Sequence, residues 1–226
     1  MRRGEAKSRS GSRAGAANGD PEAPGQAIRA FIACEISEEA RSALAATQQS
    51  LAALNGPVHW AAPESMHITL KFLGNITEHR RRRIQDKLAP EVLEIQPFAF
   101  DLSRLGVFPN ARRARVLWVG PVSGVAELVA CQRRIDDVAA SCGFAREERP
   151  FHPHVTIGRV RYPLDEQCLT AALNAGVIPP VAPIRVSGIT LFRSHLSPAG
   201  SRYERLFVAP MATVAEVSPT EKGERQ

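Results

Sequence analysis

Two stretches of this chain carry the same pattern, Met66-His67-Ile68-Thr69-Leu70 and Pro153-His154-Val155-Thr156-Ile157, each a His-x-Thr set among apolar residues. Six histidines and eight threonines in 226 residues would produce about 0.2 such triplets by chance, yet two occur, both on strand-like sequence. On a β-strand residues i and i+2 project from one face, so each copy places an imidazole beside a hydroxyl while Ile68 or Val155 points into the core. A chain that repeats this pattern 87 positions apart (67 to 154) is constrained to bring two strands together. Otherwise four polar side chains have no shared purpose.

The remaining apolar periodicity alternates between strand and helix. Strands are expected at 28–36, 58–60, 67–73, 97–105, 115–120, 151–160, 184–192 and 203–208. Helices are expected from an N-cap at Ser37 to Leu54, from Thr77 to Leu88 or Leu93, from Val125 to Ser141, and around Asp165 to Leu173. Asn55-Gly56-Pro57 and Cys142-Gly143 supply stop signals. The two halves rhyme as helix, turn, motif strand, helix, strands. The expected fold is therefore α+β, a bilobal pseudo-two-fold arrangement of two antiparallel sheets flanked by helices, with the motif strands lining a central cleft.

Residues 28–210 form the expected two-lobed domain. Residues 1–27 carry five basic and three acidic side chains with no aromatic or β-branched residue, a composition that cannot bury enough surface to order itself. An organellar transit peptide is the alternative, opposed by Pro21, Pro24 and the many glycines. Residues 211–226 read as a second tail. The formal charge of +6 suits an anionic partner without identifying one. Four cysteines with no C-x-x-C spacing read as reduced, mostly buried thiols, which makes the cytoplasm the default location. No apolar run is long enough to span a membrane, and a monomer is expected.

Two histidines facing one another across a cleft can divide the work of general base and general acid, because imidazole titrates nearest neutrality. Phosphodiester cleavage needs that division: one proton leaves the attacking water and one reaches the departing sugar oxygen. Thr69 and Thr156 can hydrogen-bond the non-bridging phosphate oxygens. This chemistry calls for no metal and no cofactor. A single His-x-Thr would read as an ordinary strand histidine. Metal binding is the rival chemistry, since His152 and His154 are spaced i, i+2, but no Asp, Glu or Cys set stands at ligand spacing.

Phe151-His152-Pro153-His154-Val155-Thr156, together with His67-Ile68-Thr69-Leu70-Lys71-Phe72-Leu73-Gly74, resembles the paired signatures of the two-histidine phosphoesterase superfamily. Within it the chain is most similar to the RNA 2′,3′-cyclic phosphodiesterases, long called 2′-5′ RNA ligases (LigT-like). The resemblance covers about residues 28–210 and extends to Phe31-Ile32-Ala33, Trp60, Arg115 through Gly120, Leu191-Phe192-Arg193-Ser194 and Tyr203. It implies hydrolysis of a 2′,3′-cyclic phosphate on RNA ends or nucleotides to a 2′-phosphomonoester, with weak reversible 2′-5′ ligation in reserve. It maps His67 to the proton donor, His154 to the proton acceptor, and Thr69 and Thr156 to phosphate binding. The residues themselves leave the order of the two histidines open.

The resemblance also maps Arg159 beside the nucleotide, although strict alternation sets it on the opposite face from His154. A bulge near Gly158 is needed to bring it round; without one it is a surface cation. Phe31 and Trp60 read either as cleft-lining aromatics or as core. Arg80 to Arg83 read either as an RNA-backbone contact or as a solvated helix face. The alternatives to the phosphodiesterase are a non-catalytic nucleotide or RNA-end binding module and a related enzyme acting on 2′-5′ oligonucleotides or small cyclic nucleotides.

Overall fold

A computed structural model describes residues 27–212 apart from 52–53, 55–56 and 198–199. The expected tails thus lie outside the described residues save for their inner edges, and so do Asn55 and Gly56. Ten strands and four helices follow in the order β1 (Ile28–Glu35), α1 (Glu38–Ser50), β2 (Val58–Trp60), β3 (His67–Ile76), α2 (Glu78–Leu93), β4 (Phe98–Phe100), β5 (Leu102–Phe108), β6 (Val116–Pro121), α3 (Val125–Ser141), β7 (Val155–Val160), α4 (Glu166–Ala175), β8 (Ile184–Val186), β9 (Gly188–Ser197) and β10 (Gly200–Pro210).

Helix starts follow the expected chemistry. The Ser37, Thr77 and Asp165 side chains accept from the backbone N–H groups of Ala40, Arg80 and Cys168. Helix α1 stops at Ser50, short of Leu54, where Leu51 closes the last turn with backbone bonds to Thr47 and Gln48. Two expected strands are each broken in two. Asp101 separates β4 from β5 and Ser187 separates β8 from β9, so that β4 and β8 pair in a small sheet of their own.

The main sheet runs β10-β9-β1-β3-β7-β6-β5, with β2 also paired to β7, and its described pairings are antiparallel. It is two four-stranded lobes joined at one point. Strands β1, β3, β9 and β10 make one lobe and β2, β5, β6 and β7 the other, and among the described residues the strands of the two lobes pair at Ile68 and Val155. Both of those side chains are fully buried. The motif residues that flank them therefore face away from the core, toward the cleft.

Bulges decide which side chains reach that face. Between Ile32 and Ala33 the register of β1 against β3 slips by one, Ile32 facing Lys71 and Ala33 facing Thr69, so the side-chain alternation of β3 inverts past Leu70. Lys71 consequently turns to the helix side, where its ammonium, 3% exposed, donates to Asp136 of α3 at 2.6 Å, to Glu147 at 3.1 Å and to the Ala145 carbonyl at 2.6 Å. A buried cation held by two carboxylates ties the motif strand to α3. The arginine run of α2 is engaged with the protein too: Arg81 and Arg82 bind Glu78, Arg80 donates to the Gly143 carbonyl and lies 4.4 Å over the Phe144 ring, and Arg83 donates to the Ser141 carbonyl.

Candidate active site

In an antiparallel register, pairing Ile68 with Val155 sets His67 opposite Thr156 and Thr69 opposite His154 on the cleft face. Cross-strand neighbours of this kind have Cβ atoms about 5 Å apart. Each imidazole is then fixed by the backbone two residues behind it. His67 Nδ1–H donates to the Ser65 carbonyl at 2.8 Å and His154 Nδ1–H donates to the His152 carbonyl at 2.7 Å. A carbonyl can only accept, so both neutral rings carry their proton on Nδ1 and keep a free lone pair on Nε2. His67 Nε2 accepts from the Thr69 hydroxyl at 2.9 Å.

Aromatic rings wall both histidines. Phe31 stacks on His67 with ring centroids 4.8 Å apart, Phe192 lies 5.2 Å from Phe31 and 6.0 Å from His67, and Tyr203 meets His67 edge-on at 5.2 Å. On the other side Phe108 meets His154 edge-on at 5.0 Å and stacks on Trp118, which lies 6.4 Å from His154. Trp118 fits because its neighbours are glycines. A Cβ on Gly106 would stand 2.2 Å from the indole, and one on Gly120 2.8 Å away. The Trp118 Nε1–H is buried without a partner among the described residues.

Burial holds both histidines neutral. It is the main reason that the His67 pKa falls to about 4; the Ser65 carbonyl and Glu35 oppose the fall, and the charge of His154 adds to it. That last influence shows the two rings within electrostatic reach of each other. His154 is also lowered, first by burial and then by the positive charges of His152 and Arg159, against the His152 carbonyl.

Arg159 reaches the cleft face by the bulge that its position required. Trp118 pairs with Thr156, but Leu117 pairs with Gly158 and Val116 with Arg159. Because Val116 and Trp118 share a face of β6, Arg159 shares the face of Thr156. Phe31 is 3% exposed and packs against both His67 and Phe192. Trp60 lies opposite Gly158 and packs against the core. His152 is exposed, and among the described residues no group of three or more His, Cys, Asp or Glu is placed to hold a metal ion.

Sequence reasoning passed over the polar cluster beside His67. Glu35 faces His67 across β1 and β3; its carboxylate accepts from Thr190 at 2.7 Å and from Arg205, with Arg41 3.8 Å away. Burial pushes the Glu35 pKa up, but the hydrogen bonds from Arg205 and Thr190 outweigh it and leave the group below its usual range. Glu35 and Arg205 are 170 positions apart, and no local pattern joins them.

A model of the 2′-5′ RNA ligase superfamily matches residues 38–198, the span that holds both motifs. The chain belongs to that superfamily. An RNA 2′,3′-cyclic phosphodiesterase of Methanothermobacter thermautotrophicus is 35% identical over 78% of this chain and 95% of its own length. One of Aeropyrum pernix is 32% identical over 77% and 98%. Among solved structures, TT0787 of Thermus thermophilus superposes with a TM-score of 0.67 at 24% identity, covering 81% of this chain and 97% of that one. E. coli LigT complexed with 3′-AMP superposes with a TM-score of 0.65 at 21% identity, covering 83% and 100%. At such identities these structures establish the shared fold. No helix among the described residues is long and apolar enough to cross a membrane.

Proposed function

We propose that this chain hydrolyses 2′,3′-cyclic phosphate ends of RNA to 2′-phosphomonoesters by metal-independent acid–base catalysis between His154 and His67. The observation that supports the reading is the pairing of Ile68 with Val155, whose register puts His67 opposite Thr156 and Thr69 opposite His154, with both imidazoles anchored on backbone carbonyls. The relatives named RNA 2′,3′-cyclic phosphodiesterase support the cyclic phosphodiesterase part of it.

In this reading His154 Nε2, neutral because of burial and Arg159, takes a proton from water as its oxygen attacks phosphorus. The P–O3′ bond breaks, and His67 delivers a proton to O3′. An incoming phosphate anion raises the pKa of His67 by direct attraction, and Glu35 across the strand pair favours the same charge. In this reading the fixed neighbours separate acid from base: Glu35 favours charge on His67 more than Arg41 opposes it, and Arg159 disfavours charge on His154. When His67 gains its proton on Nε2, the Thr69 hydroxyl can no longer donate there and turns its proton to a phosphate oxygen, leaving the Nε2–H for O3′. The Thr156 hydroxyl has no partner among the described residues and serves the phosphate directly. Arg159 faces the phosphate of the nucleotide, Trp60 packs against the core, and Phe31 backs the His67 ring. Run in the same direction with a 5′-hydroxyl in place of water, these steps give slow 2′-5′ ligation, and their reversal cleaves that linkage.

The test is hydrolysis of a 2′,3′-cyclic nucleotide and of an RNA with a cyclic end, both in EDTA, with the product read as 2′- or 3′-phosphate. A 2′-phosphate formed at an undiminished rate in EDTA is expected. Loss of activity on chelation, or a 3′-phosphate product, overturns the proposal.

A further inference from the structure

We infer that the cavity on the His67 side is the pocket for the terminal nucleobase, and that it selects guanine. The inference rests on the function proposed above, in which O3′ of the terminal ribose departs at His67. The nucleoside that carries O3′ must then lie on that side of the phosphorus atom. A cavity of about 380 Å³ opens there, lined by Glu35, Arg41, Glu64, Met66, His67, Phe192, Tyr203 and Arg205.

The lining suits a flat, uncharged, polar ligand. Its two guanidinium groups and two carboxylates cancel in formal charge, which disfavours a second phosphate. Phe192 and Tyr203, already packed around Phe31 and His67, and the buried Met66 offer apolar surface to a ring. The polar walls hold both donors and acceptors in reserve. Among the described residues the Arg41 side chain makes one hydrogen bond, to the exposed Glu38 at 3.4 Å, and its Nε–H has no partner. Glu35 is fully occupied; by accepting Arg205 Nε–H and one Nη–H it holds that guanidinium in place and leaves its remaining N–H groups unpaired. Glu64, on the exposed turn Pro63–Ser65 just ahead of the motif, makes no hydrogen bond or ion pair among the described residues.

An unpaired carboxylate beside unpaired guanidinium donors is the complement of one base. Guanine presents two adjacent donors, N1–H and N2–H, that match the two oxygens of a carboxylate, and two acceptors, O6 and N7, that match a guanidinium. Adenine offers one amino group and no ring N–H on that edge. Uracil offers a single N–H between two carbonyls, and cytosine carries no ring N–H there.

The test compares kcat/KM of the wild-type protein on the four nucleoside 2′,3′-cyclic phosphates, with a parallel measurement of guanosine and uridine 2′-monophosphate binding by calorimetry. A guanosine preference of about tenfold or more is expected, carried by KM. Glu64→Gln replaces one acceptor oxygen by a donor on a turn that Glu64 does not hold together, and should bring both the kinetic and the binding ratio close to one. Equal values for the four bases in the wild type, or a guanosine preference that survives Glu64→Gln, overturns the inference while leaving the phosphodiesterase standing. If none of the four is hydrolysed, the proposed function fails, and the binding ratio and its response to Glu64→Gln still decide the pocket.

Discussion

The two copies of the motif have the same residues and different surroundings. His67 lies within its strand, stacked on Phe31, with Nε2 held by its own threonine and Glu35 opposite. His154 stands one residue ahead of β7, touches Phe108 only edge-on, and has Arg159 as its charged neighbour. A duplicated pattern thus supplies two equivalent imidazoles, and unequal lobes make them different. In the proposed mechanism the division into acid and base therefore belongs to the neighbours and not to the motif.

The severest way to break this comparison is to remove either ring. His67→Ala and His154→Ala should each lower kcat by the roughly 10²–10⁴-fold that loss of a general acid or base costs, and the double variant should lose little more, because the pair acts as one unit. Near-normal turnover from either single variant would mean that the lobes do not share a reaction.

Acid titration sharpens the difference in burial. Because the His67 pKa is about 4 in the folded protein and near 6.5 when unfolded, the unfolded chain takes the proton first. The stabilisation is complete above about pH 6.5 and is lost as the pH falls toward 4, up to about 3 kcal/mol. Urea denaturation at pH 7 and pH 4.5 should therefore show a smaller pH difference for His67→Gln than for wild type. An unchanged difference would mean that His67 is not buried neutral.

Gly106→Ala perturbs the His154 lobe alone. The added methyl meets the Trp118 indole at 2.2 Å and should cost about 1–3 kcal/mol of stability, with a loss of activity as Trp118 and Phe108 shift against His154. A fully stable, fully active variant would show that the aromatic wall does not position that ring.

The threonines give the smallest and most discriminating effect. Thr69→Val removes the hydroxyl bound to His67 Nε2 and should both slow turnover about tenfold and shift the basic limb of the kcat profile, where the acid titrates. Thr156→Val should slow turnover by a similar factor with the profile in place. Identical profiles for the two variants would erase the asymmetry.

How much of this was legible depended on distance along the chain. Helix starts at Ser37, Thr77 and Asp165 were readable because a cap needs only a side chain and an N–H three residues on. The broken strands at Asp101 and Ser187 were not, since strand-like sequence resumes past each polar residue and only the pairing partner changes. Lys71 reads by alternation as a cleft residue, yet a one-residue bulge in the β1–β3 register turned it onto α3. Arg159 needed the same kind of slip in the opposite sense. Bulges arise where two strands of unequal curvature pair, and neither strand alone records them.

By itself the chain determined that two His-x-Thr strands must meet and what chemistry four such side chains can perform, because side-chain alternation and the intrinsic proton affinity of imidazole are local properties. Only the tertiary structure decided that β9 and β10 return to the first lobe. That return brings Phe192, Tyr203 and Arg205 around His67 and leaves His154 with Phe108 and Trp118. Strand order is settled by burial of whole sheet faces against helices, a sum over the molecule that no short stretch of sequence carries.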